Sequence, residues 1–375
     1  MAQVWIEISL LEHWGPKPHG IPRVTQNIFL QSLRRNDVRY FYYNREAQAF
    51  VAVREVQFFK DLAFGIESYS SARLPAGMPF ENELCQDDRI LFSEVGWDHA
   101  PYFDCMISLK KAHPDTVFEY LVHDLIALKF PQFFTQEFGD SVRLFLRRLP
   151  LVCDRYICVS KSTARDVREI LDSSADTAVM MSGSDVSNAP YVENKHVSPY
   201  VLNVATIEIR KNHILLYHVW RKLVQRLGGR CPKLLLVGRT GWLAGDVAYL
   251  MKHDPVVKDF VEIRHDVTND QLVGLFKNSM FTVFPSLYEG WGLPASESFF
   301  YGKVCATSNT SSLPEINPFP ELMFDPYNHQ EAFNVINGLI SDPNRLNKYE
   351  QEIPRVFRRQ TWEQSFRDLY EIVSR

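Results

Sequence analysis

Two carboxylates, Glu289 and Glu297, stand eight positions apart in FPSLYEGWGLPASESFFYGK, residues 284–303, with a Gly-Trp-Gly-Leu-Pro turn between them. The apolar run before them reads as a buried strand and the residues after them as a helix. Pro294 suits the first position of that helix. Leu293 before it has no side chain able to cap, which leaves N–H groups for water or a ligand. Such an end attracts anions. Gly290 and Gly292 let the backbone approach a phosphate or sugar closely. Acids look repulsive beside an anion, yet a carboxylate also accepts paired hydrogen bonds from vicinal hydroxyls, each worth about 1.5–3 kcal/mol. One acid could hold a sugar ring and the other a ribose. Read alone, Glu297 is also an acid favourably placed in a helix's first turn.

A second constellation is Glu208-Ile209-Arg210-Lys211-Asn212. Arg210 and Lys211 fall at the expected start of a helix, where each cation opposes the dipole by roughly 0.3–1 kcal/mol. A diphosphate would relieve that, since Arg offers a fork and Lys a point charge to phosphate oxygens. Pairing with Glu208, or simple solvation, is the plainer alternative. Gly238-Arg239-Thr240-Gly241 forms a third such group. All three follow expected strands, and open α/β sheets bind ligands outside the carboxyl ends of their strands.

The elements that must position these residues repeat as short β-rich runs alternating with amphipathic runs, the pattern of parallel sheets covered by helices. At 375 residues the α/β pattern runs twice. The first series has strands at Val4–Ser9, Val38–Tyr43, Ile90–Glu94, Val117–His123, Tyr156–Val159 and Ala178–Met181, with helices over Ile21–Arg35 and Ser162–Leu171. The polar, Pro-containing stretch Ser187–Tyr200 reads as a linker. The second series has strands at Tyr200–Ala205, Lys233–Val237, Val261–Arg264, Phe281–Phe284 and Val304–Thr307. Its helices fall over Leu215–Leu227, Asn269–Asn278 and Pro294–Tyr301. Domains at 1–190 and 198–354 follow, and a C-terminal amphipathic helix within 355–375 is free to dock back on the first.

A net charge of −4 implies no nucleic-acid footprint. Six cysteines without a C-x-x-C pair or a His partner at zinc-ligand spacing argue against a metal or disulfide framework and for a reduced, cytoplasmic setting. The N-terminus carries Glu7 and Glu12 where a signal peptide would have a basic region and an unbroken apolar one. No run approaches the roughly 20 apolar residues of a spanning helix. Phe130–Pro150, with Phe133, Phe134, Phe138, Phe145 and Leu146 beside Arg143, Arg147 and Arg148, reads either as a helix lying on an anionic membrane or as an ordinary helix packed on a sheet.

The run PSLYEGWGLPASES, with SNTSSLPE after it, resembles the E-x7-E signature of retaining GT-B-fold glycosyltransferases of family 4. Glu208-x-Arg210-Lys211-Asn212 and Val237-Gly238-Arg239 are similar to that family's other donor-site segments, in the expected order. The resemblance covers most of Tyr200–Glu315 and is looser before it. There, Gly20-Ile21-x-Arg23-Val24 resembles the N-terminal loop of bacterial surface-polysaccharide members. Val122-His123-Asp124 resembles their acceptor-side segment, and Val159-Ser160-Lys161-Ser162 their V-S-x-x-S turn. Trp291 stands where Phe is commoner, and Phe299-Phe300-Tyr301 where small residues often follow the second acid.

The resemblance implies two Rossmann-like domains with parallel sheets facing across a cleft. It implies transfer of a hexose, with retention, from a nucleotide-diphosphate sugar to a glycan or lipid-linked acceptor. Mannose from GDP-mannose is the preferred donor, and no cofactor or metal is required. Arg210 and Lys211 would neutralise the leaving diphosphate, Glu289 would bind the donor sugar and Glu297 the nucleotide ribose. Gly238, Arg239 and the amides of Gly290, Trp291, Gly292 and Leu293 would contact donor. His123 would stand near the reacting sugar, with Gly20, Arg23 and Asp124 on the acceptor side. The location implied is the cytoplasm, at the inner face of a membrane where the acceptor is lipid-linked. Two rivals are a sugar-nucleotide epimerase on the same scaffold and a non-catalytic carbohydrate-binding protein. The first needs no acceptor, and the second needs no diphosphate site.

Overall fold

The computed structural model describes residues 3–11, 20–64, 77–93, 100–186 and 199–375. Most of the expected linker, residues 187–198, lies outside the described residues, as does Glu94. The chain forms two compact units. Unit 1 comprises Met1–Pro131, Gln136–Gly183 and Thr361–Arg375, and unit 2 comprises Gln132–Thr135 and Ser184–Gln360.

Among the described residues, unit 1 is built on eight strands: β1 (Val4–Glu7), β2 (Val38–Asn44), β3 (Ala49–Val53), β4 (Met78–Pro79), β5 (Arg89–Phe92), β6 (Val117–Val122), β7 (Arg155–Cys158) and β8 (Thr177–Val179). They run in the order β4-β3-β2-β1-β5-β6-β7-β8. β3 and β4 are antiparallel additions at one edge, and every other pairing is parallel. Under the sheet, Phe41 stacks on Phe80 at 4.1 Å and meets Phe50 and Phe92 edge-on.

The Gln136–Arg148 helix turns its apolar side into this core: Val142, Phe145 and Leu146 are buried, and Phe145 packs against Tyr102, Phe103 and Tyr120. Arg148 lies over the Phe103 ring and pairs with Asp104, while Arg143 pairs with Asp140. The apolar side of this segment is thus packed inside unit 1, against both a helix and a strand. Among the described residues, no helix is long and apolar enough to cross a membrane.

The C-terminal helix, Trp362–Val373, belongs to unit 1 and packs on the Ile21–Ser32 helix. A capping box between Thr361 and Gln364 starts it. Trp362, Phe366, Leu369 and Val373 form its buried stripe. Gly183 makes room for Trp362, whose backbone nitrogen would lie 2.5 Å from any Cβ placed there.

Unit 2 holds β9 (Tyr200–Val204), β10 (Lys233–Val237), β11 (Val261–Arg264), β12 (Thr282–Phe284), β13 (Cys305–Ser308) and β14 (Met323–Phe324). All pairings are parallel, in the order β11-β10-β9-β12-β13-β14. Such strands are covered on both faces, which explains their near-continuous apolar sequences. Trp220, from the His213–Leu227 helix, anchors the larger core and donates its indole N–H to the Pro232 carbonyl at 3.1 Å. The chain leaves β9 toward β10 on one side and later returns through β12 on the other. The strand order therefore switches between β9 and β12, and this is where a doubly wound sheet opens a binding crevice.

The loops after β9 and β10 approach backbone to backbone. Ile207 donates to the Arg239 carbonyl at 2.8 Å, and Gly241 donates to the Ile207 carbonyl at 2.9 Å. A Cβ at Gly238 would lie 2.0 Å from the Ala205 carbonyl oxygen, which is backbone and cannot swing aside. Gly238→Ala is therefore expected to cost about 1–3 kcal/mol of stability through forced backbone displacement. Urea denaturation of the two proteins checks it.

Candidate functional site

The three constellations singled out in the sequence converge on the carboxyl edge of the second sheet. After β9, a tight turn at Ile209–Lys211 ends on Asn212, whose φ of 58° and ψ of 38° are left-handed. Asn tolerates that region better than most residues. Its side-chain amide donates to the carbonyls of Pro285 at 3.2 Å and Pro326 at 2.9 Å. Leu287 donates its amide to the Arg210 carbonyl at 2.9 Å. The turn bearing Arg210 and Lys211 is thus fastened to the loop after β12, which bears Glu289.

The side chains complete the junction. Glu289 receives Arg210 Nη1 on Oε2 at 2.8 Å and Lys211 Nζ on Oε1 at 2.5 Å. Arg210 Nη2 lies 2.8 Å from Glu208 Oε1, and Nη1 also donates to the Tyr288 carbonyl at 3.0 Å. Both acids are buried, Glu208 at 3% and Glu289 at 6% exposure. The plain alternative for the basic pair is partly right: Arg210 is paired to Glu208. The cations do not await a counter-ion, however, because Glu289 supplies one.

Burial alone would raise the Glu289 carboxyl, but Arg210 and Lys211 together hold it down at about 2. Burial and the neighbouring Arg210 pull Lys211 below its usual value, against Glu289 and Glu208. Behind the pair, His213 is pushed to about 4 by burial and by Lys211, and its ring meets Asn203 at 3.1 Å.

The other expected residues of this unit lie in the same loops. Gly292 precedes the Leu293–Phe300 helix with φ 113°, Pro294 opens the helix, and no side chain caps it. The Ala295 and Ser296 amides already bond the Gly292 carbonyl, so the helix end offers fewer donors than the sequence suggests. Glu297 is the fifth residue of the helix, beyond the first turn, and is buried at 1% exposure. The helix begins one residue earlier than Pro294, which moves this acid away from the dipole's end. Trp291 is half-buried, and its indole N–H is enclosed without a hydrogen-bond partner among the described residues. Gly238 donates to the Arg264 carbonyl at 3.0 Å, and Arg239 is exposed.

Gly20, Arg23, His123 and Asp124 belong to unit 1. Gly20, at φ 60°, precedes the Ile21–Ser32 helix, and its carbonyl accepts from the amides of Arg23 and Val24. Asp124 Oδ1 accepts the Ile126 amide at 3.0 Å, a local turn-forming bond. His123 follows β6 and is buried; burial pushes it to about 4, against a hydrogen bond to the Ser93 backbone, so its ring is neutral at pH 7. Its Nε2 has no hydrogen-bond partner among the described residues. Residues the sequence reading gave no role are Ser308, Thr310, Ser311 and Ser312, which line the Glu289 loop. Four hydroxyls in five residues of SNTSS were the available signal.

Residues 190–356 match the family described as glycosyl transferases group 1. The junction of Arg210, Lys211 and Glu289 lies within the matched residues. The serotype-specific mannosyltransferase WbdA of Escherichia coli is 26% identical over 242 residues, 59% of this chain but only 29% of WbdA's length. The O-antigen chain mannosyltransferase B of Escherichia coli is 32% identical over 127 residues, 34% of this chain and 33% of the relative. Among solved structures, HepE of Anabaena in complex with UDP-glucose superposes with a TM-score of 0.68 at 13% identity over 100% of both chains. Sucrose-phosphate synthase of Thermosynechococcus elongatus gives 0.67 at 15% identity over 99% of this chain and 98% of that one. The fold class is α/β, GT-B.

The depressed Glu289 carboxyl makes stability pH-dependent. Its ordinary value is 4.5 and its folded value about 2, so on acidification the unfolded chain takes up the proton first. The stabilisation is complete above the ordinary value and is lost as pH falls through 4.5 toward 2. Glu289→Gln is expected to flatten that limb. At pH 7 it should cost about 3–5 kcal/mol, because two cations lose their buried partner. Urea midpoints of both proteins from neutral to acid pH measure the two effects.

Proposed function

We propose that this chain is a retaining glycosyltransferase that moves a hexose from a nucleotide-diphosphate sugar to a glycan or lipid-linked acceptor in surface-polysaccharide synthesis. Mannose from GDP-mannose is the donor of first choice. The observation that carries the reading is the pair Arg210 and Lys211, held by Glu289 where the strand order switches between β9 and β12. The group 1 glycosyl transferase match supports the reaction class, and the names of the mannosyltransferase relatives support the sugar.

In this reading the diphosphate binds at Arg210 and Lys211. The bond from the anomeric carbon to the phosphate oxygen breaks, and the acceptor oxygen forms its bond on the same side of the sugar. The acceptor's proton passes to the departing phosphate oxygen, so no side-chain base is required. The two cations offset the charge that develops on the leaving group. Glu289, released from them, accepts hydrogen bonds from sugar hydroxyls, and Glu297 holds the ribose. No metal enters the scheme, and the enzyme works in the cytoplasm.

Binding and turnover are separable. GDP-, UDP-, dTDP- and ADP-linked sugars are added without metal, with melting temperature and hydrolysis as readouts. One donor is expected to raise the melting temperature, by about 2.7 kcal/mol of stabilisation at a hundredfold excess over Kd. Lys211→Ala should abolish both the rise and the hydrolysis. A rise without any sugar released or transferred would leave a binding protein, and no rise with any donor would end the reading.

A further inference from the structure

The loop Pro285–Gly292 carries Glu289 but has no regular secondary structure of its own. Its buried backbone groups must nevertheless be paired. A run of hydroxyls that starts on the last residue of β13 does this. Ser308 Oγ donates to the Ser286 carbonyl at 2.5 Å, and Thr310 Oγ1 donates to the Leu287 carbonyl at 3.0 Å. Ser311 Oγ accepts the Glu289 amide at 2.8 Å. Ser312 Oγ shares its one proton between the Glu289 carbonyl at 3.2 Å and the Trp291 carbonyl. Both backbone groups of Glu289 are thus held by adjacent serines.

Ser311 pays for this conformationally. Its φ is 52°, a region that an L side chain resists. Outside glycine, few residues adopt it, and here it aims the hydroxyl at the Glu289 amide. Asn212 and Gly292, also at positive φ beside the site, are residues suited to that conformation.

We propose that Ser311 and Ser312 are positioning residues that fix the Glu289 peptide when the carboxylate leaves Arg210 and Lys211. The inference rests on the reading that those cations bind a donor diphosphate. In the ligand-free protein the side chain of Glu289 is itself anchored by the ion pairs, so the serines are redundant for its placement. With the cations turned to phosphate, only the backbone clamp sets where the carboxylate meets the sugar. Loss of the clamp therefore strikes turnover more than donor binding, because the cations that bind the diphosphate are untouched.

Ser311→Gly removes the hydroxyl and the backbone penalty together, so the folded state keeps its stability. Ser311→Asn retains an acceptor oxygen on a residue that tolerates positive φ. Three readouts are taken on the full chain with GDP-mannose: donor KM, kcat, and hydrogen exchange of peptides covering Pro285–Gly292. Ser311→Gly is expected to lower kcat about 10- to 100-fold, as displacement of a substrate-contacting group does, with donor KM within about threefold, the cation contacts being intact. Exchange of the loop should quicken, and Ser311→Asn should recover part of both effects. Wild-type kcat in Ser311→Gly, unchanged exchange of the loop, or a loss of kcat matched by loss of folded protein would each overturn the clamp. If the wild-type chain itself turns over no nucleotide sugar while the loop still exchanges faster in Ser311→Gly, the transferase reading fails and the clamp stands.

Discussion

A carboxylate and two cations buried at the point where a parallel sheet reverses its winding decide how the rest of unit 2 is arranged. Charges removed from water are tolerated only when paired, and removing one partner is costlier than removing the set. Arg210 and Lys211 carry two positive charges, and Glu208 and Glu289 two negative ones. The four balance without a ligand. The two acids differ in where they come from. Glu208 belongs to the same turn as the cations and pairs with Arg210, whereas Glu289 comes from another loop and pairs with both.

The loops that carry these charges are held by backbone conformations a regular element would not supply. Asn212 turns the chain into the His213–Leu227 helix while its amide bridges two other loops. Gly238 admits the Ala205 carbonyl at a distance no side chain allows. Gly292 turns the chain into the Leu293–Phe300 helix, with Leu313 filling the space where its Cβ would go. At each place the sheet sets the direction of the incoming strand, and one unusual residue redirects the chain at its end. The chemistry is concentrated where regular hydrogen bonding stops, because only there do backbone groups and charged tips point away from the sheet together.

Much of this was legible in the sequence because of how parallel strands are buried. Lys233–Val237, Val261–Arg264 and the helix at Asn269–Asn278 have the bounds that apolar runs and turn residues imply. β3 was not legible: it pairs antiparallel with β2 across Arg45-Glu46-Ala47-Gln48, a connection without the glycine that usually marks a hairpin. β4 and β14 have two residues each, too short for any period to register. Periodicity found the apolar side of the Gln136–Arg148 helix but could not say what covers it, and the answer is the aromatic core of unit 1. In the site, residue types and order were visible, but partners were not. The bond from Lys211 to Glu289 spans 78 positions, and no local pattern connects them.

The choice of a carboxylate at position 289 follows from these constraints. A neutral amide there could accept hydrogen bonds from a sugar, yet it would leave two buried cations without a counter-charge in the ligand-free protein. A carboxylate fixed rigidly to the cations would balance the charge but could never turn to hydroxyls. What reconciles the two demands is a side chain held by exchangeable ion pairs on a peptide held by bonds that do not exchange. Arg210 and Lys211 supply the first, and the hydroxyls of Ser311 and Ser312 the second. In the proposed reaction, charge on the incoming diphosphate displaces the acid from the cations, and the same event makes it available to the sugar. Binding the leaving group and recruiting the sugar-binding acid then become one electrostatic step, which a neutral residue at this position could not couple.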